Sequence, residues 1–165
     1  MNIGIVTLVT LVTLVIVSIS LAAYLYFELS RRRKPKLSVY FPGEKNEIQY
    51  SNNEEHTVAI HYRNIGRLTV TGLDICVFIP DSFLPSKLEY PGGLTTEVTP
   101  ASSGSIYKGK QYLYTGRKFV LSYKEEEVLE LSTQMPRATG NYPIIIHMVS
   151  DQGDAGSYNL NVIIT

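Results

Sequence analysis

The chain has 165 residues, of which 15 are Lys or Arg, 15 are Asp or Glu, and 44% are hydrophobic. This length is enough for one domain of ordinary size, or for a smaller domain with an appendage. The single cysteine, Cys76, excludes an intramolecular disulfide framework and any multi-cysteine zinc or iron–sulfur site. The charged fraction of 18% lies below the roughly 25% usual in soluble domains. Apolar residues must therefore be concentrated in one part of the chain.

That part is the N-terminal run 2–27, which contains no charged side chain. A bilayer core is crossed by about 20 helical residues. The many β-branched residues would favour a strand in water, but in lipid a single segment satisfies its backbone hydrogen bonds only as a helix. We therefore predict a short tail at 1–4, a transmembrane helix at 5–27, a basic juxtamembrane linker at 28–36 and a β domain at 37–165.

Aromatic residues lie at the C-terminal end of this run, and basic residues follow it. Aromatic rings favour the headgroup region, and positive residues beside a span stay in the cytoplasm, so the N-terminus is predicted outside and the β domain inside. The basic run contacts anionic lipid, at about 1 kcal/mol per residue, or serves only to set the topology. The small residues Leu21-Ala22-Ala23 leave a cleaved secretory signal, and an extracytoplasmic β domain, as the alternative. The predicted membrane-interface residues are Tyr24, Tyr26, Phe27, Arg31, Arg32, Arg33, Lys34 and Lys36.

The remainder reads as β structure. Leu37, Val39 and Phe41 alternate with polar residues, which is the period of a half-buried strand, and 56–63 repeats this pattern. In 73–79 the apolar residues alternate with Asp74, Cys76 and Phe78, so we expect that strand to be covered on both faces. Seven to nine short strands predict an all-β, antiparallel sandwich with Greek-key connections. Pro80 and Pro85 are expected to bracket a connection. Further strands are predicted near 95–98, 104–107, 110–114, 117–123, 128–133, 142–149 and 157–164, the last two joined by a loop at 151–156.

The stretch Val58–Gly66, with its Asn64-Ile65-Gly66 turn, leads into Leu73–Ile79 and then Pro80. This order resembles the CARDB and NEW3 types of prokaryotic immunoglobulin-like module, in which a strand enters an N-x-G turn before a strand that ends in proline. The resemblance spans roughly 37–164 and implies an immunoglobulin-like β-sandwich that binds or spaces without catalytic residues. Such modules are usually exported, which opposes the orientation given by the basic run. The matching positions of the later half are Leu129, Leu131, Pro136, Thr139, Gly140 and Tyr142.

The sequence contains none of the common motifs of catalytic or phosphate-binding sites. The chain has no glycine-rich phosphate loop, nucleophile elbow or metalloprotease helix, so we expect no enzyme, no cofactor, no metal, no nucleic-acid partner and no small-molecule substrate. His56 and His61 are five apart on one strand, hence on opposite faces, and cannot share a metal. Asp151 and Asp154 supply too few oxygen ligands for calcium. Cys76 is expected to be an inert core thiol.

Two charged regions are each candidates for one side of a protein–protein interface. One is an acidic corner at Glu125–Glu127 with Glu130, and the other is a basic, tyrosine-rich hairpin. Tyrosine is favoured at binding hot spots, although it is also an ordinary strand residue, and such charges also discourage edge pairing. We predict a non-enzymatic, membrane-anchored binding or scaffold module with a protein partner. The alternatives are an exported adhesion module of the surface or envelope, and an accessory subunit of a membrane enzyme or transport complex. The candidate protein-binding residues are Tyr107, Lys108, Lys110, Tyr112, Tyr114, Arg117 and Lys118.

The zero net charge conceals two unlike regions. Residues 1–36 hold five basic side chains and one acidic side chain, a net charge of +4, whereas the remainder holds ten basic and fourteen acidic side chains, a net charge of −4. A basic collar beside the predicted membrane segment thus balances a mildly acidic domain.

Overall fold

A computed structural model of the chain describes residues 3–32, 35–90, 94–97, 101–102, 109–115 and 119–165. The chain divides into two compact units, Met1–Lys34 and Pro35–Thr165. The first contains one helix, α1 (Ile3–Arg32), whose described side chains from Leu11 to Phe27 are all exposed. Over Leu11–Glu28 this helix is long and apolar enough to cross a membrane, a property that an N-terminal signal sequence shares.

The second unit consists of two β-sheets packed face to face. Sheet I has the strand order β1-β3-β10-β5-β6, and sheet II has the order β2-β12-β11-β4-β8-β7 with β9 also beside β4. The strands are β1 (Leu37–Tyr40), β2 (Glu47–Tyr50), β3 (Glu55–Asn64), β4 (Val70–Pro80), β5 (Leu84–Tyr90), β6 (Leu94–Glu97), β7 (Ala101–Ser102), β8 (Lys110–Tyr114), β9 (Phe119–Leu121), β10 (Glu126–Gln134), β11 (Gly140–Ser150) and β12 (Gly153–Ile164).

The connections of these strands are those of an immunoglobulin-like sandwich. The N-terminal β segment is divided between the sheets, because β1 pairs antiparallel with β3 whereas β2 pairs parallel with β12. Strands β1, β3, β10 and β5 correspond to the four-stranded sheet of that fold, and β4, β11 and β12 to its opposing three. Strands β6–β9 form an insertion between β5 and β10. The predicted all-β, immunoglobulin-like class is confirmed.

The sandwich is held together by inward-facing residues that alternate along each strand. In β3 these are Val58, Ile60 and Tyr62, and none of the three has an exposed surface. Burying one large apolar side chain contributes about 1.5–3 kcal/mol, so the alternation fixes which face of each strand turns inward. The largest other fully buried side chains are Phe41, Leu73, Ile75, Ile79, Phe83, Leu88, Leu113, Leu121, Leu129 and Leu131.

The structure has more strands than the seven to nine predicted, because several are short edge strands. Strand β5 runs through Pro85, where a connection was expected; Pro85 lies opposite Thr133, next to a register shift in β10 that accommodates a residue without a backbone N–H. Strands β11 and β12 extend the closing hairpin to a two-residue tip at 151–152, shorter than the predicted loop. The strand predicted at 104–107 lies outside the described residues.

The predicted turn at Asn64-Ile65-Gly66 is stabilised by a buried side chain. The Asn64 amide nitrogen donates to the carbonyl oxygens of Leu68, at 2.6 Å, and Leu121, at 3.0 Å, and its side-chain oxygen accepts from the Gly66 N–H at 3.0 Å. A Cβ atom at Gly66 would lie only 3.2 Å from the backbone nitrogen of Lys36. Asn64 therefore ties the β3–β4 loop to the end of β9.

Candidate functional site

The outward face of sheet II carries an aromatic cluster where β8, β4 and β11 lie side by side. Tyr112 is paired with Phe78, which is paired with Ile145 on the next strand. The Tyr112 and Phe78 rings are 6.1 Å apart at an interplanar angle of 47°. Since successive residues point to opposite faces, Leu113 is buried in the core while Tyr112 and Tyr114 point outward.

Lys110 lies at the end of β8, opposite Pro80, and supports this cluster from its edge. Its ammonium nitrogen donates a hydrogen bond to the Pro143 carbonyl oxygen at 2.6 Å. Partial burial lowers the pKa of Lys110, and the Asp81 carboxylate opposes that shift. Lys110 is therefore engaged by the fold, and the accessible part of the cluster is made of tyrosine rings.

The structure brings three of the seven predicted binding residues to one strand. Tyr114 is 53% exposed and Tyr112 is 36% exposed, whereas Lys110 is half-buried. The sequence did not reveal that Phe78 and Ile145 extend the tyrosine cluster, because pairing across strands decides which outward residues meet. The remaining four predicted residues, Tyr107, Lys108, Arg117 and Lys118, lie outside the described residues.

The predicted membrane-interface residues lie around the end of α1 and the start of β1. The rings of Tyr26 and Phe27 are 6.3 Å apart in an edge-to-face arrangement. Lys36 is exposed and directly precedes β1. The aromatic residues Tyr24, Tyr26 and Phe27 are exposed, Arg31 and Arg32 belong to the last turn of α1, and Arg33 and Lys34 lie outside the described residues.

Cys76 is not in the sandwich core, contrary to expectation. It points outward from β4, between Tyr114 on β8 and His147 on β11, because the inward positions are Ile75 and Val77. Partial burial among these neighbours raises the pKa of the Cys76 thiol to about 11. A thiol with this pKa is almost wholly protonated at neutral pH and is a poor nucleophile.

The outward face of sheet I holds a network of polar side chains that the sequence did not reveal. His61 Nδ1 lies 2.8 Å from Glu126 Oε1, and Arg63 Nη2 lies 2.9 Å from Glu44 Oε1. The Tyr40 ring stacks on the His61 ring, with 5.7 Å between the two ring centroids. The Arg63 guanidinium carbon lies 5.4 Å from the centroid of the Tyr40 ring. Burial raises the pKa of Tyr40 to about 12, and the hydrogen bond with His61 holds the pKa of Glu126 below its usual value.

Within the predicted acidic corner, this network engages Glu126. Glu126 joins His61 and Arg63, the latter at 3.8 Å from its second carboxylate oxygen. Burial raises the pKa of Glu127, and the neighbouring Glu125 adds to that shift. Across the residues whose side chains are described, no three His, Cys, Asp or Glu residues come together in a group that could hold a metal ion.

No protein-family model and no curated protein sequence matches the chain. Solved structures with a similar fold include the CARDB domain of PF1109 from Pyrococcus furiosus, in complex with di-metal ions, at 18% identity and a TM-score of 0.45 over 80% of this chain and 90% of that one. AvmM, which catalyses macrocyclization in alchivemycin A biosynthesis, is similar at 11% identity and a TM-score of 0.49, over 80% and 89%. A cohesin module from a Clostridium perfringens family 33 glycoside hydrolase is similar at 11% identity and 0.47, over 80% and 97%.

These similar structures include a module of the CARDB type that the sequence resembles. They belong to proteins of unlike activity, so the likeness concerns the fold and leaves the function to be argued from the residues of this chain.

Proposed function

We propose that this chain is a single-pass membrane protein whose immunoglobulin-like domain binds a protein partner through the outward face of sheet II and performs no catalysis itself. The observation that carries the proposal is the cluster of Tyr112, Tyr114 and Phe78 on a strand-paired surface. Tyrosine supplies a large, rigid contact area with a polar tip and is enriched in the centre of protein interfaces. A cluster held by β-sheet pairing loses little conformational entropy when a partner binds.

The proposed membrane anchor is α1. Its apolar stretch ends with Tyr24, Tyr26 and Phe27, and a run of basic residues comes shortly after. Aromatic rings at one end and a basic flank are the features of a helix that stays in the bilayer with that flank in the cytoplasm. The β domain follows the basic flank, so the proposal puts it on the cytoplasmic side.

A photoreactive amino acid tests the binding face. It is introduced in place of Tyr114 on sheet II or in place of Leu84 on sheet I, which are 53% and 62% exposed. The full chain is then irradiated in native membranes. We expect a discrete crosslinked protein at Tyr114 and none at Leu84. The same products at both positions, or none at either, would contradict the proposed face.

Cysteine labelling tests the side of the membrane. Asp154→Cys is made in a Cys76→Ser background, because Asp154 is exposed near the tip of the β11–β12 hairpin. A membrane-impermeant maleimide is expected to label this cysteine only after lysis. Labelling of intact cells would overturn the cytoplasmic placement in favour of the exported, membrane-tethered adhesion module.

The accessory-subunit alternative makes a separate prediction for the same crosslinking experiment. If the domain serves a membrane enzyme or transport complex, the partner captured at Tyr114 is an integral membrane protein. A soluble partner supports the scaffold role instead.

A further inference from the structure

Exposed apolar side chains collect at one end of the sandwich, the end at which β1 begins. We call its two connecting segments, 65–69 between β3 and β4 and 122–125 between β9 and β10, the basal loops. Backbone hydrogen bonds fix them beside the start of the domain, because the N–H groups of Ile65 and Gly66 donate to the Lys36 carbonyl oxygen at 2.9 and 3.0 Å. The exposed apolar residues are Ile65 (53%), Leu68 (46%), Val120 (62%) and Tyr123 (51%).

Basic side chains surround these apolar residues. Lys36, Arg67 and Lys124 are exposed, and the Lys124 ammonium lies 5.3 Å from the centre of the Tyr123 ring. Three carboxylates at this end are held close to the backbone, and one of them, Asp154 beside the tip of the β11–β12 hairpin, accepts a hydrogen bond from the Gly156 N–H at 2.8 Å. Glu125 accepts a hydrogen bond from the Ser122 N–H, and the Asp151 carboxylate lies where a side chain on Gly72 would be.

The basal loops are held in place rather than being loosely attached. The Lys124 N–H donates to the Asn64 carbonyl oxygen at 2.9 Å, and the Glu125 N–H donates to the Ser122 carbonyl oxygen at 3.1 Å to close a turn. Lys124 has a φ of 62°, in the left-handed region where a lysine is strained and a glycine is not. Glu44 and Asn53 have similar φ values of 58° and 54° in other turns, so the conformation of Lys124 matters here because a glycine can replace it without strain.

The opposite end of the sandwich has a different composition. Glu54, Glu55 and Asp81 are exposed there, where β3 begins and β4 ends. Leu84 is the exposed large apolar residue of that end. Among the described residues the two ends therefore differ in hydropathy, and exposed basic side chains are more numerous at the basal end, with Lys36, Arg67 and Lys124, than at the opposite end, where Arg137 is exposed.

We propose that the basal loops dock onto the anionic headgroup layer of the membrane that α1 crosses, with their apolar tips inserted among the headgroups. The proposal rests on the proposed anchoring by α1. The chain from Arg32 to Lys36 spans at most roughly 14 Å when fully extended, so it delivers this end of the domain close to the bilayer surface. Basic residues attract anionic lipid, and tyrosine and aliphatic tips prefer the interface to water.

Tryptophan fluorescence tests the docking, because the chain contains no tryptophan of its own. Tyr123→Trp in the basal loops is compared with Leu84→Trp at the opposite end, in the full chain reconstituted into vesicles of phosphatidylcholine with or without phosphatidylserine. We expect a blue-shifted emission, quenched by brominated acyl chains, for Tyr123→Trp in vesicles that contain phosphatidylserine, and water-exposed emission for Leu84→Trp in both. Equal quenching of the two tryptophans would overturn the docking.

Lys124→Gly, made in the Tyr123→Trp protein, separates charge from folding. The change relieves the backbone strain, so the domain is expected to remain folded, while one basic charge is removed. We expect the ratio of docked to undocked domain to fall about fivefold, and added salt to lower it further. The matched control is Arg137→Gly in the same protein, near the acidic end, which is expected to leave the quenching unchanged. A Lys124→Gly protein quenched as strongly as its parent would count against the docking.

Carbonate extraction of the same vesicles distinguishes failure of the docking from failure of the anchor. A chain that resists extraction but leaves Tyr123→Trp in water retains the proposed anchor and disproves the docking. A chain that carbonate releases disproves the anchor, and the docking with it.

Discussion

The outward faces of the two sheets are built on the same alternating pattern but end in different chemistry. On sheet I, Glu126 is within hydrogen-bonding distance of His61 and forms an ion pair with Arg63, and the Thr57 and Ser132 hydroxyl oxygens are 3.1 Å apart across the neighbouring strands. On sheet II, the corresponding positions around β4 hold Phe78 and the tyrosines of β8. On sheet I, polar side chains of neighbouring strands contact one another, whereas sheet II presents the Tyr112 and Tyr114 rings to the solvent.

This difference teaches that the inward residues, which form one continuous core, leave the outward residues of the two sheets able to differ in chemistry. A surface ion pair is worth about 0–1 kcal/mol, so the network of sheet I contributes little to stability and mainly keeps that face soluble. Aromatic side chains exposed to water contribute little to the stability of the domain. Their burial against a partner would remove apolar surface from water, which favours binding. Four predictions test this comparison.

The largest expected effect is that of Asn64→Ala, which tests a contact that stabilises the sandwich on which both faces depend. Asn64 is fully buried and makes three hydrogen bonds with the backbone, so its loss removes the donor to the Leu68 and Leu121 carbonyl oxygens and one of the two acceptors of the Gly66 N–H. We expect the free energy of unfolding to fall by about 3 kcal/mol, measured by chemical denaturation of the full chain in detergent. The control, Asn159→Ala on the exposed outer face of β12, is expected to change it by less than about 0.5 kcal/mol. Similar effects of the two changes would contradict the role given to Asn64.

The second prediction concerns the reactivity of Cys76, which lies on the outward face of β4 beside Tyr114. Its thiol pKa of about 11, against the reference value of 9.0, reduces the thiolate fraction at about pH 8 by roughly a hundredfold. Alkylation by iodoacetamide, followed by mass spectrometry, is therefore expected to be slow and to accelerate as the pH rises toward 11. Asp154→Cys in the Cys76→Ser background is the exposed comparison. Equal rates at the two cysteines would show that the outer face of β4 is open to solvent.

The third prediction removes the aromatic face itself. Tyr112→Ser combined with Tyr114→Ser, with a photoreactive residue at Asn159 on the same face, is expected to reduce the yield of crosslinked partner. A hot-spot contribution of about 2 kcal/mol corresponds to a loss of affinity of roughly thirtyfold. Thr57→Ala combined with Ser132→Ala on sheet I is the matched control and is expected to retain the partner. Loss of the partner in the control alone would transfer the binding role to sheet I.

The smallest expected effect belongs to the network of sheet I. The hydrogen bond with His61, followed by the one with Tyr40, lowers the pKa of Glu126, and the Arg63 charge adds to it. A carboxyl whose pKa is lowered in the folded state stabilises that state above its unfolded pKa, near 4.5, and this stabilisation is lost as the pH falls through the folded pKa. Glu126→Gln should therefore lower the melting temperature slightly at about pH 7 and by less at about pH 3. Because the group is exposed, the effect is below about 1 kcal/mol. An equal decrease at both pH values would attribute the effect to packing rather than charge.

Much of the fold is predictable from the sequence because a few local signals are strong. The alternation in β3 and β4 predicts their inward faces, and the buried residues Val58, Ile60, Leu73 and Ile75 confirm it. The Asn64-Ile65-Gly66 turn is predicted from residue types that favour such turns, and the structure adds the three hydrogen bonds of the asparagine. The prediction that Cys76 lies in the core was wrong. Its strand alternates apolar residues with Asp74, Cys76 and Phe78, and this mixture was interpreted as a strand buried on both faces.

The candidate site was less predictable, since it depends on which strands become neighbours. Tyr112 and Tyr114 stand out in the sequence, but Phe78 and Ile145 are distant from them along the chain and join them only through the register of β8, β4 and β11. In the same way, Glu126 reads as part of an acidic run, and only its pairing with Arg63 across β3 and β10 shows that its charge is balanced.

By itself, the sequence determined the uncharged stretch of the N-terminal helix, the basic residues after that stretch, the all-β character of the remainder and the inward face of the main strands. These properties follow from composition and from periodicity along the chain, which act over a few residues. Only the tertiary structure decided that the exposed apolar residues of the basal loops share one end of the sandwich, and that one outward face is aromatic while the other is neutralised. Such juxtapositions arise from strand order and register, which bring together residues that lie far apart in the chain.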